Sequence, residues 1–524
     1  MNLLQRWRAV TNRGALVATL VAGLGWGLTL PLILRLISPS SSWHHEFTSD
    51  SAIPVLVTRA RTLDVFHLFY FGQDRFGMWP FLLARALGGT NWTAEGLQRV
   101  MFVMLWPSAL VLGALVPSGP MRRGLWLFIP LLLVLSPGQE RYLLDLSQPY
   151  GWQVVALVWS WLALRGQAKA AEPPRVVAYG ALAFLAATLA MWISSSSLPS
   201  LLVLAGLEVA KARLEGTGRA RAWRLAPLVP LLGAFLVERE LLVLYHRFSR
   251  QAFGHAYRTD LMLDRGYLLE NARQVLGQLM TGPAPALLVL AALVAAVLWG
   301  LVAARRQGRP PSPTTWFAAG CALVALSQIP ALVLIQHVRL NAYNPRYFCL
   351  ILLFAQMGLG AVVLSELAAR VSPRIRHAAG IVLVGGLLVA GPVFPPTPPE
   401  HLRHTHARAA ALALSEAAPG TLLLGNYWCV YLITALQPPD ERAARPLPQD
   451  GDYQRTPFYI PAMKTAADAV WVQTEAEEPV PPTRQVQHGV ELERDAAPML
   501  RRSGFAFWHY RVLGPAPRMT ESVP

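Results

Sequence analysis

"APALLVLAALVAAVLWGLVAA" fills residues 284–304 and is followed at once by "RRQGR" at 305–309. A helix rises about 1.5 Å per residue, so this uncharged run would extend roughly 30 Å, the thickness of a bilayer's hydrocarbon core. It reads as a membrane span, with Arg305, Arg306 and Arg309 anchoring one end in a polar phase. Comparable apolar runs recur at 14–37, 100–116, 315–335, 348–365 and 378–394. The whole chain has 524 residues, 54% hydrophobic and 15% charged, which water alone would solvate poorly.

The fold class expected is therefore mainly α, a polytopic transmembrane helical bundle of about eleven spans. They are placed near 14–37, 97–116, 124–137, 149–165, 176–194, 198–210, 225–243, 284–304, 315–336, 346–369 and 378–396. Residues 1–397 would form the membrane domain, with a large first external loop at 38–96 and a second at 246–283 that ends in an interfacial helix. Beyond the proline-rich "FPPTPPE" the pattern changes. A helical "HLRHTHARAAALALSEA" leads to Gly420, then to an apolar β-type run "TLLLGNYWCVYLITAL", then to polar segments and "FAFWHYRVLG". Residues 398–524 are accordingly expected to form a small extramembrane α/β domain.

The formal net charge of +16 does not mark a nucleic-acid binder, because its location fits a membrane protein. Segments 1–13, 117–123, 165–175, 211–224, 304–314 and 370–377 are rich in Lys and Arg, with Glu172 and Glu215 as their only acids. Residues 38–98 are balanced, with Arg59, Arg61, Arg75 and Arg85 set against Glu46, Asp50, Asp64, Asp74 and Glu95. The positive-inside rule puts the basic set and the N-terminus in the cytoplasm, and the first large loop and the tail on the opposite face. Cys321, Cys349 and Cys429 are too few for a disulfide framework.

The stretch "SDSAIPVLVTRARTLDVFHLFYFGQDRFGMWP" at 49–80 carries the candidate chemistry. Asp50 heads a helical segment, where it suits either a helix cap or a general base. In "FYFGQDRFGMWP", Tyr70, Gln73, Asp74 and Arg75 offer the aromatic faces and hydrogen-bonding edges that a sugar needs, or else an aromatic belt at headgroup depth. Arg346 and Tyr347 in "NAYNPRYFCL" open a late span, where an arginine snorkels or grips a phosphate through its planar donor fork. Glu238, Arg239 and Glu240 lie at the outer end of the seventh span, where uncompensated charge is expensive and pairing among them is expected, and the external acids Glu140, Asp145, Asp260 and Asp264 are weaker candidates for a second polar group of the site. "WHHE" at 43–46 has ligand-type residues, but adjacent histidines point apart and no fourth ligand is evident, so it reads as a solvated loop. No Walker loop, Ser-His-Asp set or CxxC pair is present, and no metal or other cofactor is indicated, a divalent metal included.

Taken together, "SDSAIPVLVTRA", "FYFGQDRFG", "NPRYF" and "GNYWCVYLITAL" resemble the bacterial GT-C superfamily of integral-membrane glycosyltransferases, which includes protein mannosyltransferases and aminoarabinose transferases. The resemblance implies a polyprenyl-phosphate-linked sugar donor, a glycan, lipid or protein acceptor, and an active site on the outer face of the bacterial inner membrane. It also implies Asp50 as general base and Arg346 as the group holding the lipid phosphate. Where protein mannosyltransferases typically show an Asp-Glu pair, this chain has Ser51 after Asp50, which puts a protein acceptor in doubt. The competing class is a transporter or lipid-linked-sugar flippase, against which stand the large first loop and the lack of an internal repeat.

Overall fold

The computed structural model describes residues 47–71, 73–105, 115, 143, 146, 150–214, 225–253, 261–281, 286–372, 375, 400–449, 455–475 and 479–516. The protein is mainly helical. The main helices are α1 (Ser49–Arg59), α2 (Trp79–Gly88), α3 (Ala94–Leu105), α4 (Tyr150–Lys169), α5 (Pro173–Ile193), α6 (Ser197–Leu214) and α7 (Leu228–Phe253). They continue with α8 (Arg265–Thr281), α9 (Ala286–Arg306), α10 (Pro313–Leu334), α11 (Cys349–Arg370), α12 (Glu400–Ala417), α13 (Tyr427–Leu436) and α14 (Ile460–Thr465). Two compact units emerge: residues 1–36, 102–243 and 259–395 form one, and residues 37–101, 244–258 and 396–524 the other.

The first unit is a helical bundle. Among the described residues, four helices, Pro173–Ile193, Ala286–Arg306, Pro313–Leu334 and Pro345–Leu367, are long and apolar enough to cross a membrane. Only 22% of the apolar window of α9 is buried by protein, and Leu288, Leu298 and Trp299 lie bare on it, so this surface calls for a solvent other than water. The eleven spans expected are not supported by the described residues. Segments 14–37, 124–137 and 378–396 lie outside those residues, and of 97–116 only 97–105 and 115 are described. Helices do occupy the expected positions at α4, α6 and α7, but polar and charged side chains dilute them. These find partners inside the bundle: Trp161 Nε1 donates to Glu208 Oε1 at 2.8 Å, Gln153 Nε2 to Ser197 Oγ at 2.8 Å, and Ser195 Oγ to Glu238 Oε1 at 2.6 Å.

A second correction concerns the loop expected to begin at residue 246. Helix α7 continues to Phe253, because Leu241, Leu244, Tyr245 and Phe248 carry the helical apolar spacing past residue 246. Within the bundle, Trp161 stacks on Phe317 with ring centroids 5.6 Å apart. A Cβ at Gly320 would come within 2.3 Å of that indole. The ring cannot swing away without losing both its stack and its bond to Glu208. Gly320→Ala is therefore expected to destabilise the bundle by about 1–3 kcal/mol. A lower Tm in detergent, partly restored by adding Trp161→Phe, is the expected measurement.

The second unit holds α1, α2 and a seven-stranded sheet: β1 (Leu422–Asn426), β2 (Arg445–Gln449), β3 (Asp468–Thr474), β4 (Arg484–Gln487), β5 (Val490–Arg494), β6 (Leu500–Arg502) and β7 (Phe505–Pro515). The order is β2-β1-β3-β7-β5-β4, with β6 paired to β7. Strand β1 runs parallel to β2 and β3, and the remaining pairings are antiparallel. One face buries Leu422, Leu424, Leu447, Trp471, Leu492, Trp508 and Tyr510 beneath Met463.

The run 421–436 is not a continuous strand: β1 ends at Asn426 and α13 begins at Tyr427. Gly425 adopts φ +130, and the Asn426 side chain accepts from Trp428 N at 2.8 Å, an N-cap that starts the helix. In the first loop, Asp64 caps the short 3-10 turn Val65–Leu68 together with His67. Burial disfavours the Asp64 charge, but its hydrogen bond to His67, the charge of that imidazole and the backbone N–H groups of Phe66 and His67 outweigh burial and hold the carboxyl below its usual value of 3.8. A carboxyl depressed by folding stabilises above its unfolded pKa, and the contribution fades as pH falls through the folded value. Asp64→Ala should therefore lower Tm at neutral pH, and the gap from the parent should close on acidification below about pH 4. A gap that widened in acid would rule this out.

Candidate functional site

The site is built on a tight turn in the second unit. Tyr70 N bonds to Phe76 O at 3.1 Å and Met78 N to Leu68 O at 3.0 Å, so the chain folds back across 70–76. Phe76 takes φ +57, a region costly for a residue with a bulky side chain. The conformation is held by the burial of Phe66, Phe69, Phe71 and Phe76. Tyr245 packs edge-on to Phe69 and stacks against Phe66, and Phe458 meets Phe66 and Phe71 edge-on.

This turn directs Tyr70 at α1. Its hydroxyl donates to Asp50 Oδ1 at 2.9 Å and lies 3.1 Å from the Asp50 carbonyl oxygen. Tyr427, the first residue of α13, donates its hydroxyl to the same Oδ1 at 2.5 Å. Two phenols thus converge on one carboxylate oxygen from segments 20 and 377 residues away in sequence. Arg455 lies 4.6 Å from the centre of the Tyr427 ring. The residue after it, Thr456, accepts from Tyr431 Oη at 3.2 Å and donates to Pro446 O at 2.8 Å. Burial pushes the Tyr70 and Tyr427 phenols well above the usual tyrosine range; the Asp50 charge acts the same way, and Arg455 opposes it. Both hydroxyls therefore stay protonated donors at physiological pH.

Asp50 is not the helix cap. Thr48 occupies that position and Asp50 lies in the first turn, where helix N-termini favour negative charge. The α1 and α13 helices run side by side in the same direction. Asp50 meets Tyr427 at one end, and Arg59 Nη1 reaches Gln437 O at 3.2 Å at the other, while Arg59 Nε donates to Trp92 O at 2.6 Å. Burial lowers the Arg59 guanidinium to about 10, partly offset by Asp440, so it remains charged at neutral pH.

The other expected residues are placed differently. Gln73 and Asp74 are buried. Gln73 Oε1 accepts from Arg75 Nε at 2.6 Å, and the Arg75 guanidinium covers the Phe76 ring at 4.6 Å. Asp74 Oδ2 lies 3.0 Å from His246 Nε2 near the end of α7. Arg346 and Tyr347 belong to the first unit, on the 3-10 turn Pro345–Phe348 that leads into α11. There Arg346 Nη2 donates to Asn341 Oδ1 and Tyr347 Oη, each at 3.2 Å. Asp264 accepts from the N–H groups of Gly266 and Tyr267 at the start of α8. His44, His45, Glu46, Glu140, Asp145 and Asp260 lie outside the described residues, and among those described no three His, Cys, Asp or Glu side chains gather as metal ligands.

Sequence reasoning missed the part played by Tyr427, and Arg455 and His246 altogether. Tyr427 lay inside a quoted motif, and its signal was Gly-Asn immediately before an apolar run, a strand-to-helix break with a capping residue. Arg455, in "DYQRTPFY", carries no local signal. No protein-family model and no characterised protein sequence matches the chain.

Proposed function

We propose that this protein is a membrane glycosyltransferase that moves a sugar from a polyprenyl-phosphate donor to an acceptor hydroxyl on a glycan, lipid or protein, at the outer face of the bacterial inner membrane. The observation that carries the reading is Asp50: a part-buried carboxylate, oriented by two buried phenols, in the loop that follows the first apolar run. In the reaction, the acceptor O–H gives its proton to Asp50 while its oxygen forms the new bond to the anomeric carbon. The bond from that carbon to the phosphate oxygen breaks, and polyprenyl phosphate leaves with the electron pair, inverting the centre. Phosphate is already a good leaving group, so the step needs no nucleotide-binding loop.

Arg346 is the residue proposed to meet the lipid phosphate. Supporting this are its planar donor fork and its position where a long apolar helix begins, since helix N-termini attract anions. Membranes containing the protein, given a polyprenyl-phosphate-linked radiolabelled sugar and an envelope extract, should release free polyprenyl phosphate and label an acceptor. Labelling equal to that of membranes lacking the protein, across the common bacterial lipid-linked sugars, would overturn the reading.

The second reading is a flippase or transporter for a lipid-linked sugar. In its favour stands a buried polar chain in the bundle: Gln328 Nε2 donates to Ser200 Oγ at 2.7 Å and to Ser196 O at 2.9 Å, Ser200 and Ser327 share a bond at 2.8 Å, and Gln153 Nε2 donates to Ser196 Oγ at 3.2 Å. That reading expects the labelled lipid to change leaflet with its sugar intact.

A further inference from the structure

Given Asp50 as the base, its carboxylate must point one oxygen at the acceptor hydroxyl and hold that direction. A carboxylate at a helix start rotates about its terminal torsion with little hindrance unless something fixes it. Here both phenols bond to Oδ1, at 2.9 and 2.5 Å, which ties that oxygen to two fixed rings.

The ring of Tyr427 is itself held on several sides. Trp428 and Tyr431 meet it edge-on at 5.0 and 5.3 Å, and the Arg455 guanidinium covers it at 4.6 Å. The Tyr431–Thr456–Pro446 hydrogen bonds anchor the backbone beside Arg455. All of this belongs to the sheet-bearing tail, which would be superfluous to the chemistry if Asp50 acted alone.

We infer that Tyr427, backed by Arg455 and working with Tyr70, is a positioning residue that aims the Asp50 carboxylate, so that the tail completes the catalytic site. This rests on the assignment of Asp50 as base. Burial keeps the phenol protonated, so it acts as a constant donor and takes no part in proton transfer.

The test is Tyr427→Phe in the full-length protein, which removes the hydroxyl and keeps the ring that Trp428, Tyr431 and Arg455 pack against. Transfer from the lipid-linked donor should fall about 10- to 100-fold in kcat, the scale of a misaligned reacting group, with KM for donor and acceptor within about twofold of the parent. An unchanged Tm establishes that the variant is folded; if Tm falls, Tyr70→Phe, which loses the other donor to Oδ1, takes its place with the same expected split. In an Asp50→Asn background the hydroxyl deletion should cost nothing further, because the group it aims is gone. A full-rate single variant, a loss confined to KM, or an equal loss in the Asp50→Asn background would each overturn the inference. If instead Asp50→Asn itself transfers at the parental rate, the base assignment is what fails.

Discussion

Asp50→Asn should slow sugar transfer by 10²- to 10⁴-fold while leaving the protein folded and the donor bound, the range general-base catalysis ordinarily supplies. The amide keeps the size of the side chain and an oxygen able to accept from Tyr70 and Tyr427, so the geometry around Oδ1 can persist. What disappears is the capacity to take a proton. Asp50→Glu is the informative companion: it keeps the charge but moves the carboxylate by about one methylene, which should forfeit the alignment the two phenols supply. Assays of both variants in membranes, normalised to protein and run at saturating donor, separate the loss of a base from the loss of its aim. Full activity in Asp50→Asn would remove this residue from the mechanism.

Gly425→Ala is expected to have the largest effect on stability. A Cβ built at Gly425 falls 2.2 Å from the carbonyl oxygen of Val472, a backbone atom in the neighbouring strand that cannot give way without breaking the β1–β3 pairing. Its φ of +130 adds backbone strain of about 1–3 kcal/mol for any residue with a side chain. With the overpacking of a well-filled sheet, the total is about 2–6 kcal/mol, a large share of the stability of a domain of this size. Proteolysis of the tail in detergent should accelerate sharply. Transfer should fall along with it, because Tyr427 follows only two residues later. A variant as protease-resistant as the parent would contradict the close approach at Val472.

The four helices long and apolar enough to cross a membrane were legible because length and apolarity alone decide such segments, and the expected spans 176–194, 284–304, 315–336 and 346–369 coincide with them. The α4, α6 and α7 helices were located but do not meet that standard, since residues such as Glu208 and Glu238 are reconciled with the bundle by partners far away in sequence. The misreading of "YWCVYLITAL" has a similar origin. Residues 429–435 are buried throughout, so the helix has no polar face to print a period on the sequence. In the site, Asp50 and Tyr70 could be picked from a loop that concentrates ionisable and aromatic residues. Their convergence with Tyr427, the placing of Arg455 over that ring and the pairing of Asp74 with His246 are products of tertiary packing that no local pattern encodes.

The parallel pairing of α1 with α13 also sets a clock. Asp50 is synthesised 377 residues before Tyr427. At ~5–20 residues per second, the first helix must wait about 20–75 s for its partner. Throughout that interval Asp50 lacks the Tyr427 hydroxyl, and Arg59 lacks the carbonyl of Gln437. The Asp50–Tyr427 pairing is therefore gained late and all at once, when the end of the chain has folded. A ribosome stalled anywhere short of the tail leaves behind a first helix without its partner.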